Sequence, residues 1–163
     1  MPITTSPFTL TNTSLVLTPT AGVETEYRCQ LTQAQLTPST TTGGGGNEVA
    51  TFCTTHSSGG AGALATWTLD LAGFQAYADA TDLTMFLYEH EGEKLAFTLT
   101  PIGPDPISAT NPGFTGEVTA TPTQVGGTAQ QYATFTVSLP VSAKPLVLKT
   151  PPAAVFDTEQ QFA

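Results

Sequence analysis

Strict alternation of apolar and polar side chains is the feature that most constrains how this chain can fold. Trp67, Leu69 and Leu71 fall on one side of an extended backbone, and the polar residues between them fall on the other. A period of two residues is typical of a β-strand with one buried face. The same alternation returns in four further segments, 8–18, 24–37, 114–125 and 131–141. The sequence therefore predicts a mainly β fold.

The central segment, residues 64–101, contains the one predicted departure from this alternation. After Gly73 the apolar residues follow a helical period: Phe74, Tyr77 and Ala78. This spacing predicts an amphipathic helix of about two turns. The apolar run at 82–89 is interpreted as a further strand, and Gly92 as the left-handed residue of a tight hairpin that follows it. The predicted order is strand, helix, strand, turn, strand.

Composition narrows the fold class and the possible partners. Charged residues make up only 10% of the 163 residues, so Thr, Ser, Gln and Asn must supply most of the surface polarity. The formal net charge of −9 means that binding to nucleic acid or to an anionic membrane would start from repulsion. No apolar run approaches the length of a membrane span. We expect a single domain (1–163): a β-sandwich or closed barrel of about eight strands with one short α-helix.

Three segments are predicted to lie outside this domain's regular structure: an N-terminal arm (1–7), a Gly-rich loop (38–47) and a C-terminal tail (151–163). The chain start has no basic region and alternates, which argues against a secretory signal. Four consecutive glycines in the loop would lose too much backbone entropy to form a regular element. The loop residues are Pro38, Ser39, Thr40, Thr41, Thr42, Gly43, Gly44, Gly45, Gly46 and Asn47.

Motifs for metal and cofactor binding are weak. No Gly-Lys-Ser/Thr follows the glycine run, so a phosphate-binding loop is not predicted. The chain has enough ligands for one zinc ion, Cys29, Cys53, His56 and His90, but only one close pair, whereas structural sites usually have two. The two cysteines could form a disulfide between neighbouring strands, although two free thiols are favoured without secretion. We predict no metal and no cofactor.

Catalytic patterns are equally weak. Ser57 and Ser58 follow His56 but lack the G-x-S-x-G turn of a nucleophile elbow. The glutamates near residue 91 are interpreted as solvated charges beside a turn. Trp67 and Tyr77 could line a ligand pocket, but aromatic residues at these spacings are more often core. The prediction is that the protein is not an enzyme.

Read as a whole, the order of elements resembles the major tail tube proteins of long-tailed (siphophage-type) bacteriophages. The resemblance covers residues 20–150. It rests on a strand with a long loop (YRCQLTQAQLTPSTTTGGGGNEV), a strand entering a helix (WTLDLAGFQAYADATDL), a hairpin (MFLYEHEGEKLAFTLTP) and a closing strand pair that ends in proline. These are shared patterns of elements and contain no catalytic signature.

The resemblance implies a structural virion protein. Subunits of that family form six-membered rings that stack into a hollow tube, through which DNA is ejected without specific binding. Its implied partners are further copies of itself and the tape-measure, tail-tip and tail-terminator proteins, with no membrane. Its implied location is the virion tail, assembled in the host cytoplasm. If the strands that carry them face the channel, the lumen is lined by three carboxylates: Glu24, Glu26 and Glu117.

The loop at 38–47 is predicted to contact neighbouring subunits, since two to five residues would join the flanking strands. The alternative to a tube protein is a non-catalytic β-sandwich binding module, immunoglobulin-like or carbohydrate-binding, at a virion or cell surface. It explains the strands and the Thr richness equally well. It explains the helix and the Gly-rich loop less well, and no exposed aromatic platform for sugar is evident. Self-assembly distinguishes the two, because a module of this kind is expected to stay monomeric.

Overall fold

An eight-stranded antiparallel sheet dominates the computed structural model, which describes residues 10, 12–40, 48–50, 55–57, 65–77, 81–103 and 105–150. The mainly β prediction is confirmed, with one short helix. The strands are β1 (Ser14–Pro19), β2 (Thr25–Tyr27), β3 (Leu31–Thr40), β4 (Glu48–Ala50), β5 (Thr55–Ser57), β6 (Ala65–Phe74), β7 (Lys94–Thr100), β8 (Gly113–Thr119), β9 (Thr134–Val141) and β10 (Leu146–Leu148), and the helix is α1 (Leu83–Glu89).

The sheet divides into two layers. Its strand order is β2-β1-β7-β8-β9-β6-β3, with β10 also paired to β8, while β4 and β5 form a separate pair. The strands β8 and β9 are joined through a single register pair, Val118 with Val141. We call β2, β1, β7, β8 and β10 the first layer, and β9, β6 and β3 the second layer.

The core fills the space between these layers, as the alternation predicts. Buried side chains from both layers and from α1 form one cluster. Its largest fully buried members are Phe97, Phe135, Leu15, Leu17, Leu69, Leu71, Leu83, Leu87, Leu95, Leu139 and Val118. The predicted inward positions Leu69, Leu71 and Leu139 are therefore confirmed.

The two ends of the sheet meet at one corner. Only residues 28–30 separate β2, at one end of the strand order, from β3 at the other. Four extended residue steps span at most about 14 Å. The backbone N–H of Phe74 in β6 donates to the carbonyl of Gln30 at 3.0 Å, which fixes the corner. The chain therefore passes from one layer to the other at this corner, and the two layers form a sandwich, in agreement with the predicted sandwich or barrel.

The single strand predicted at 24–37 is wrong, since it is two strands on opposite layers. Tyr27 is buried and belongs to the core, but Cys29 is exposed rather than inward. The chain leaves the first layer after Tyr27 and joins the second at Leu31. Alternation continues in phase across this crossover, so the sequence does not reveal it.

The predicted positions of the helix and of the following strand are also wrong. Phe74 is the last residue of β6, Gln75 to Tyr77 are irregular, and Ala78 lies outside the described residues. The helix occupies Leu83–Glu89, where a strand was expected. Asp82 caps it, because its carboxylate accepts from the backbone N–H of Met85 at 3.2 Å. The same carboxylate accepts from the N–H of Ala76 at 3.1 Å, which ties the helix to the segment after β6.

Gly92 has the predicted left-handed conformation, with φ of 79°. It joins α1 to β7 instead of forming a strand-to-strand hairpin. The predicted start of the Gly-rich loop is wrong as well, because β3 continues to Thr40. Pro38, Ser39 and Thr40 pair with Trp67, Thr66 and Ala65 of β6. Residues 41–47 lie outside the described residues, as do the predicted arm (1–7), the predicted tail (151–163) and Cys53.

Candidate functional surface

The outward side of the second layer is a nearly uncharged polar surface. Alternate residues of β3, β6 and β9 point into the core, and strand register places the intervening residues together on the opposite face. This surface, which we call the hydroxyl face, consists of Gln33, Gln35, Thr37, Ser39, Thr66, Thr68, Asp70, Ala72, Phe74, Thr134, Thr136, Ser138 and Pro140, and Phe74 is its one aromatic member. Hydroxyls predominate among its side chains. Asp70 is its only ionisable residue.

Asp70 lies at the centre of the hydroxyl face and is held by hydroxyl groups. The Thr37 hydroxyl donates to Oδ2, and the Ser138 hydroxyl donates to Oδ1 at 2.5 Å. Thr68 adds a longer contact of 3.5 Å. Burial raises the pKa of this carboxyl, but hydrogen bonds from Ser138, Thr37 and Thr68 more than offset that effect and hold the pKa below its ordinary value. Asp70 is therefore a carboxylate at neutral pH without a cationic partner among the ion pairs of the described residues.

The outward side of the first layer carries the predicted glutamates and pairs them with cations. Glu117 of β8 accepts from the Lys94 ammonium at 2.7 Å and from the Ser142 hydroxyl at 3.0 Å. Both bonds lower the pKa of Glu117, and the bond from Lys94 has the larger effect. Glu26 of β2 accepts from Ser14 and from Arg28, and these contacts lower the pKa of Glu26 in the same way.

Strand register places Glu26 and Glu117 on the same face. Glu26 pairs with Val16, and Glu117 pairs through Ala96 with Thr18, two residues further along β1. Glu24 is exposed but precedes β2, so the structure does not bring it into the sheet. The prediction of a polar face for Glu26 and Glu117 is confirmed. Whether that face lines a channel stays a prediction.

The second layer has two open edges. Within the described part of the chain, β3 has no strand on the side away from β6, and β9 meets β8 only at Val141. Neither β3 (LTQAQLTPST) nor β9 (TFTVSLPV) contains a charged residue. Charges are a common protection of edge strands, and here only prolines and one bulge near Leu31 serve that purpose. Both edges can therefore accept another strand.

An apolar cavity of about 470 Å³ opens between the layers, away from α1. Its lining includes Leu36 and Trp67 of the second layer and Leu99, Phe114 and Val147 of the first layer. Trp67 therefore lies at a cavity, whereas Tyr77 is 48% exposed elsewhere on the surface. The cavity contains no arrangement of acid, base and nucleophile among these lining residues.

The other residues considered for chemistry are dispersed. Cys29 is an exposed free thiol, His56 lies in β5 opposite Val49, and His90 follows α1. No group of three or more His, Cys, Asp or Glu side chains that could hold a metal ion occurs in the described residues. In the same part of the chain, no helix is long and apolar enough to cross a membrane.

Sequence reasoning missed the central role of Asp70 and the two open edges. The sequence contains a weak signal for the role of Asp70, since an aspartate in mid-strand next to threonines needs hydrogen-bond donors on neighbouring strands. Those donors come from residues up to 68 positions away in the sequence. The open edges depend on strand order, for which the sequence holds no local signal.

Comparison with known proteins adds no relative. No protein-family model matches the chain, and no curated protein matches it significantly.

Proposed function

We propose that this protein is a structural subunit that assembles into six-membered, stacked rings, forming the tail tube through which a bacteriophage ejects its DNA. The observation that supports this most directly is the second layer, in which, among the described residues, β3 is unpaired on one side and β9 meets β8 only at Val141, with no charged residue on either strand. A monomer that exposes two such edges is prone to strand addition. Assembly into a closed ring removes both edges at once.

The direction of the strands suits a ring. Both β3 and β9 are antiparallel to β6, so they run in the same direction as each other. Placing β3 of one subunit beside β9 of the next requires only a rotation, which gives a head-to-tail contact. Repetition of that contact closes a ring when the rotation divides a full turn. Six subunits would contribute about 18 strands, a number that leaves an open channel in barrels.

The remaining parts of the proposal follow from the tail tube resemblance. The partners are further copies of this chain and the tape-measure, tail-tip and tail-terminator proteins. The location is the virion tail, assembled in the host cytoplasm, and the subunit acts without a cofactor and without catalysis. The Gly-rich segment that follows β3, residues 41–47, contributes to contacts between subunits.

The second candidate function is a monomeric β-sandwich binding module, and the apolar cavity is the observation that favours it. A cavity of about 470 Å³ falls in the range of small-molecule sites. Its lining is mostly apolar, with Thr13, Gln35 and Lys144 as the polar members, but a binding role leaves the two uncharged edge strands unexplained.

Assembly is the test that separates these functions. Purified protein should form rings or tubes in negative-stain images and should sediment far above its monomer mass of 16.9 kDa. A strictly monomeric protein at high concentration would contradict the tube proposal. The edges are tested with the double variant Gln35→Lys/Thr136→Lys, which adds positive charge to β3 and β9.

Like charges brought together across a strand junction are destabilising, so the double variant should stay folded but fail to polymerise. The matched control, Ala96→Lys, adds one exposed lysine to β7 in the middle of the first layer and should polymerise normally. Circular dichroism and the unfolding midpoint establish that each variant is folded.

A further inference from the structure

We infer that the hydroxyl face is the channel wall, with Asp70 as its one carboxylate per subunit. This inference rests on the proposed ring assembly and adds to it the identity of the surface that faces DNA. The competing surface is the outward side of the first layer, where Glu26 and Glu117 lie. Relative width, surface charge and hydrogen bonding all favour the hydroxyl face.

The widths of the two layers decide which one lies nearer the ring axis. Neighbouring strands are about 4.8 Å apart, so the three-stranded second layer is about 14 Å wide and the five-stranded first layer is about 24 Å wide. Helix α1 does not change this comparison, because it contacts both layers: Phe86 packs on Tyr27 of β2 with ring centroids 5.8 Å apart, and Asp82 accepts from Ala76 after β6. In a closed ring, the layer at the larger radius has a longer circumference to cover and must be the wider one. The narrow second layer therefore lies inside, with its outward face toward the axis.

The distribution of positive charge agrees with this orientation. The chain has four cationic residues, Arg28, Lys94, Lys144 and Lys149, and none of them belongs to the hydroxyl face. Salt-sensitive affinity for DNA comes from ion pairs between such residues and phosphates. Arg28 and Lys144 line depressions beside Gln35 at the β3 edge, but the centre of the face around Asp70 gives the polyanion no such contact. Six Asp70 carboxylates at one level would add mild repulsion.

Hydrogen bonding within the hydroxyl face limits contacts with DNA further. Thr37 and Ser138 donate to Asp70, and Thr66 donates to the carbonyl of Ser39 at 3.2 Å. Thr68 also has acceptors within the layer. These hydroxyl protons are engaged and are less available to phosphate oxygens. Four of the seven hydroxyls of the face are engaged in this way, which reduces the donors that it presents to DNA.

The first layer is the poorer wall. Its glutamates are paired with Lys94 of β7 and with Arg28 in the crossover that directly follows β2. A wall built from this side would present ammonium and guanidinium groups to the phosphates. Passage of DNA would then meet the salt-dependent contacts that the hydroxyl face lacks.

Thiol labelling of assembled tubes tests the inference. In a Cys29→Ser/Cys53→Ser background, Thr136→Cys and Gln33→Cys place a thiol on the hydroxyl face, and Ala96→Cys places one on the first layer. Each is labelled, as subunits and as tubes, with small N-ethylmaleimide and with a maleimide on a long polyethylene glycol. Access limits the reaction of the large reagent, so its rate at Thr136→Cys and Gln33→Cys should fall about tenfold or more on assembly. N-ethylmaleimide should still react, and Ala96→Cys should react with both reagents in both states.

The outcomes separate the inference from the assembly on which it rests. Tubes in which Ala96→Cys is protected while Thr136→Cys and Gln33→Cys react freely with the large reagent would overturn the inference and leave the proposed function intact. Absence of any polymer, seen in negative-stain images of the unmodified protein, would overturn both. Two hydroxyl-face variants on different strands guard against the failure of one to fold.

Discussion

The two layers hold their carboxylates in different ways. In the first layer, Glu117 accepts from the Lys94 ammonium, and Glu26 accepts from the Arg28 guanidinium. In the second layer, Asp70 is surrounded by hydroxyls and has no cation beside it. Both arrangements lower the pKa of the carboxyl, so all three groups are ionised at neutral pH. Only the second arrangement leaves a surface free of positive charge.

This difference shows that alternation alone does not define a sheet surface. Both layers follow the same inward and outward period, and both outward faces would be described from sequence as wet. Their chemistry separates only when strand order brings distant residues together.

Backbone packing should give the largest difference between the layers. A Cβ added at Gly73 in the second layer would overlap the carbonyl oxygen of Gln30, which is backbone and cannot rotate away. A Cβ added at Gly116 in the first layer would lie 2.9 Å from the Phe97 ring, which can shift by a few tenths of an ångström. We expect Gly73→Ala to lower the free energy of unfolding by about 2–3 kcal/mol, and Gly116→Ala by about 1 kcal/mol or less.

Urea unfolding midpoints measure this difference. The matched control is Gly127→Ala, where the added atom would be 3.4 Å from Ala133, an ordinary contact, so the midpoint should hardly change. Equal losses of stability in Gly73→Ala and Gly116→Ala would show that the backbone near Gln30 adjusts as easily as the Phe97 ring. That result would also weaken the description of the second layer as a fixed wall.

The sequence was sufficient for elements whose side chains alternate and remain in one layer. The buried positions Leu15, Leu17, Val118 and Leu139 follow directly from the period of two. The crossover at residues 28–30 was missed because alternation stays in phase through it. The apolar run at 82–89 suits a buried strand or a short helix equally well. Asp82 as an N-cap was the local signal for the helix.

The candidate surface was predicted only in part. The polarity of Thr66, Thr68 and Asp70 was evident, since they alternate with buried residues. Their partners were not, because Thr37 and Ser138 reach Asp70 through pairing between distant segments. The assignment of the channel to Glu24, Glu26 and Glu117 depends on their acidity and on the polar face of their strands, on the condition that those strands face the lumen. The structure supplies the cation beside each of the last two, and this information is absent from the local sequence.

Removal of the charge at Asp70 should give the next largest effect. Asp70→Asn keeps the shape of the side chain but weakens the hydrogen bonds from Thr37 and Ser138, which are stronger to a charged acceptor. We expect a loss of about 1 kcal/mol in the free energy of unfolding at neutral pH, after allowing for partial exposure. Glu117→Gln in the first layer should have a smaller effect, since its pair with Lys94 is exposed to solvent. A larger loss of unfolding free energy for Glu117→Gln than for Asp70→Asn would contradict this difference between the layers.

In acid, the stabilising contribution of Asp70 should appear as a change in how steeply the unfolding midpoint falls with pH. Its folded-state pKa lies below the ordinary value of 3.8, so its stabilisation is present above that value and is lost as the pH falls through the folded pKa. Unfolding midpoints measured between pH 5 and the acid limit should fall less steeply for Asp70→Asn than for the unmodified protein. Glu26 and Glu117 also lose their stabilising contribution in acid, and this loss begins at a higher pH, as the pH falls below their ordinary pKa of 4.5. Parallel curves for variant and unmodified protein would mean that Asp70 has no linkage to folding.

Salt should give the smallest effect and the most selective one. The Lys94–Glu117 pair joins two exposed side chains at 2.7 Å, and such pairs are weak and screened by ions. Lys94→Met removes the ammonium and retains a comparable apolar stem. At about 0.01 M salt, where the Debye length is about 30 Å, this variant should unfold slightly earlier than the unmodified protein. At about 1 M salt the Debye length falls to about 3 Å, and the two midpoints should coincide. The midpoint difference caused by Asp70→Asn should persist at both salt concentrations, because its partners are neutral hydroxyls in direct contact. Loss of the Asp70 effect at high salt would show that a distant cation, and not the hydroxyl groups, stabilises the carboxylate of the second layer.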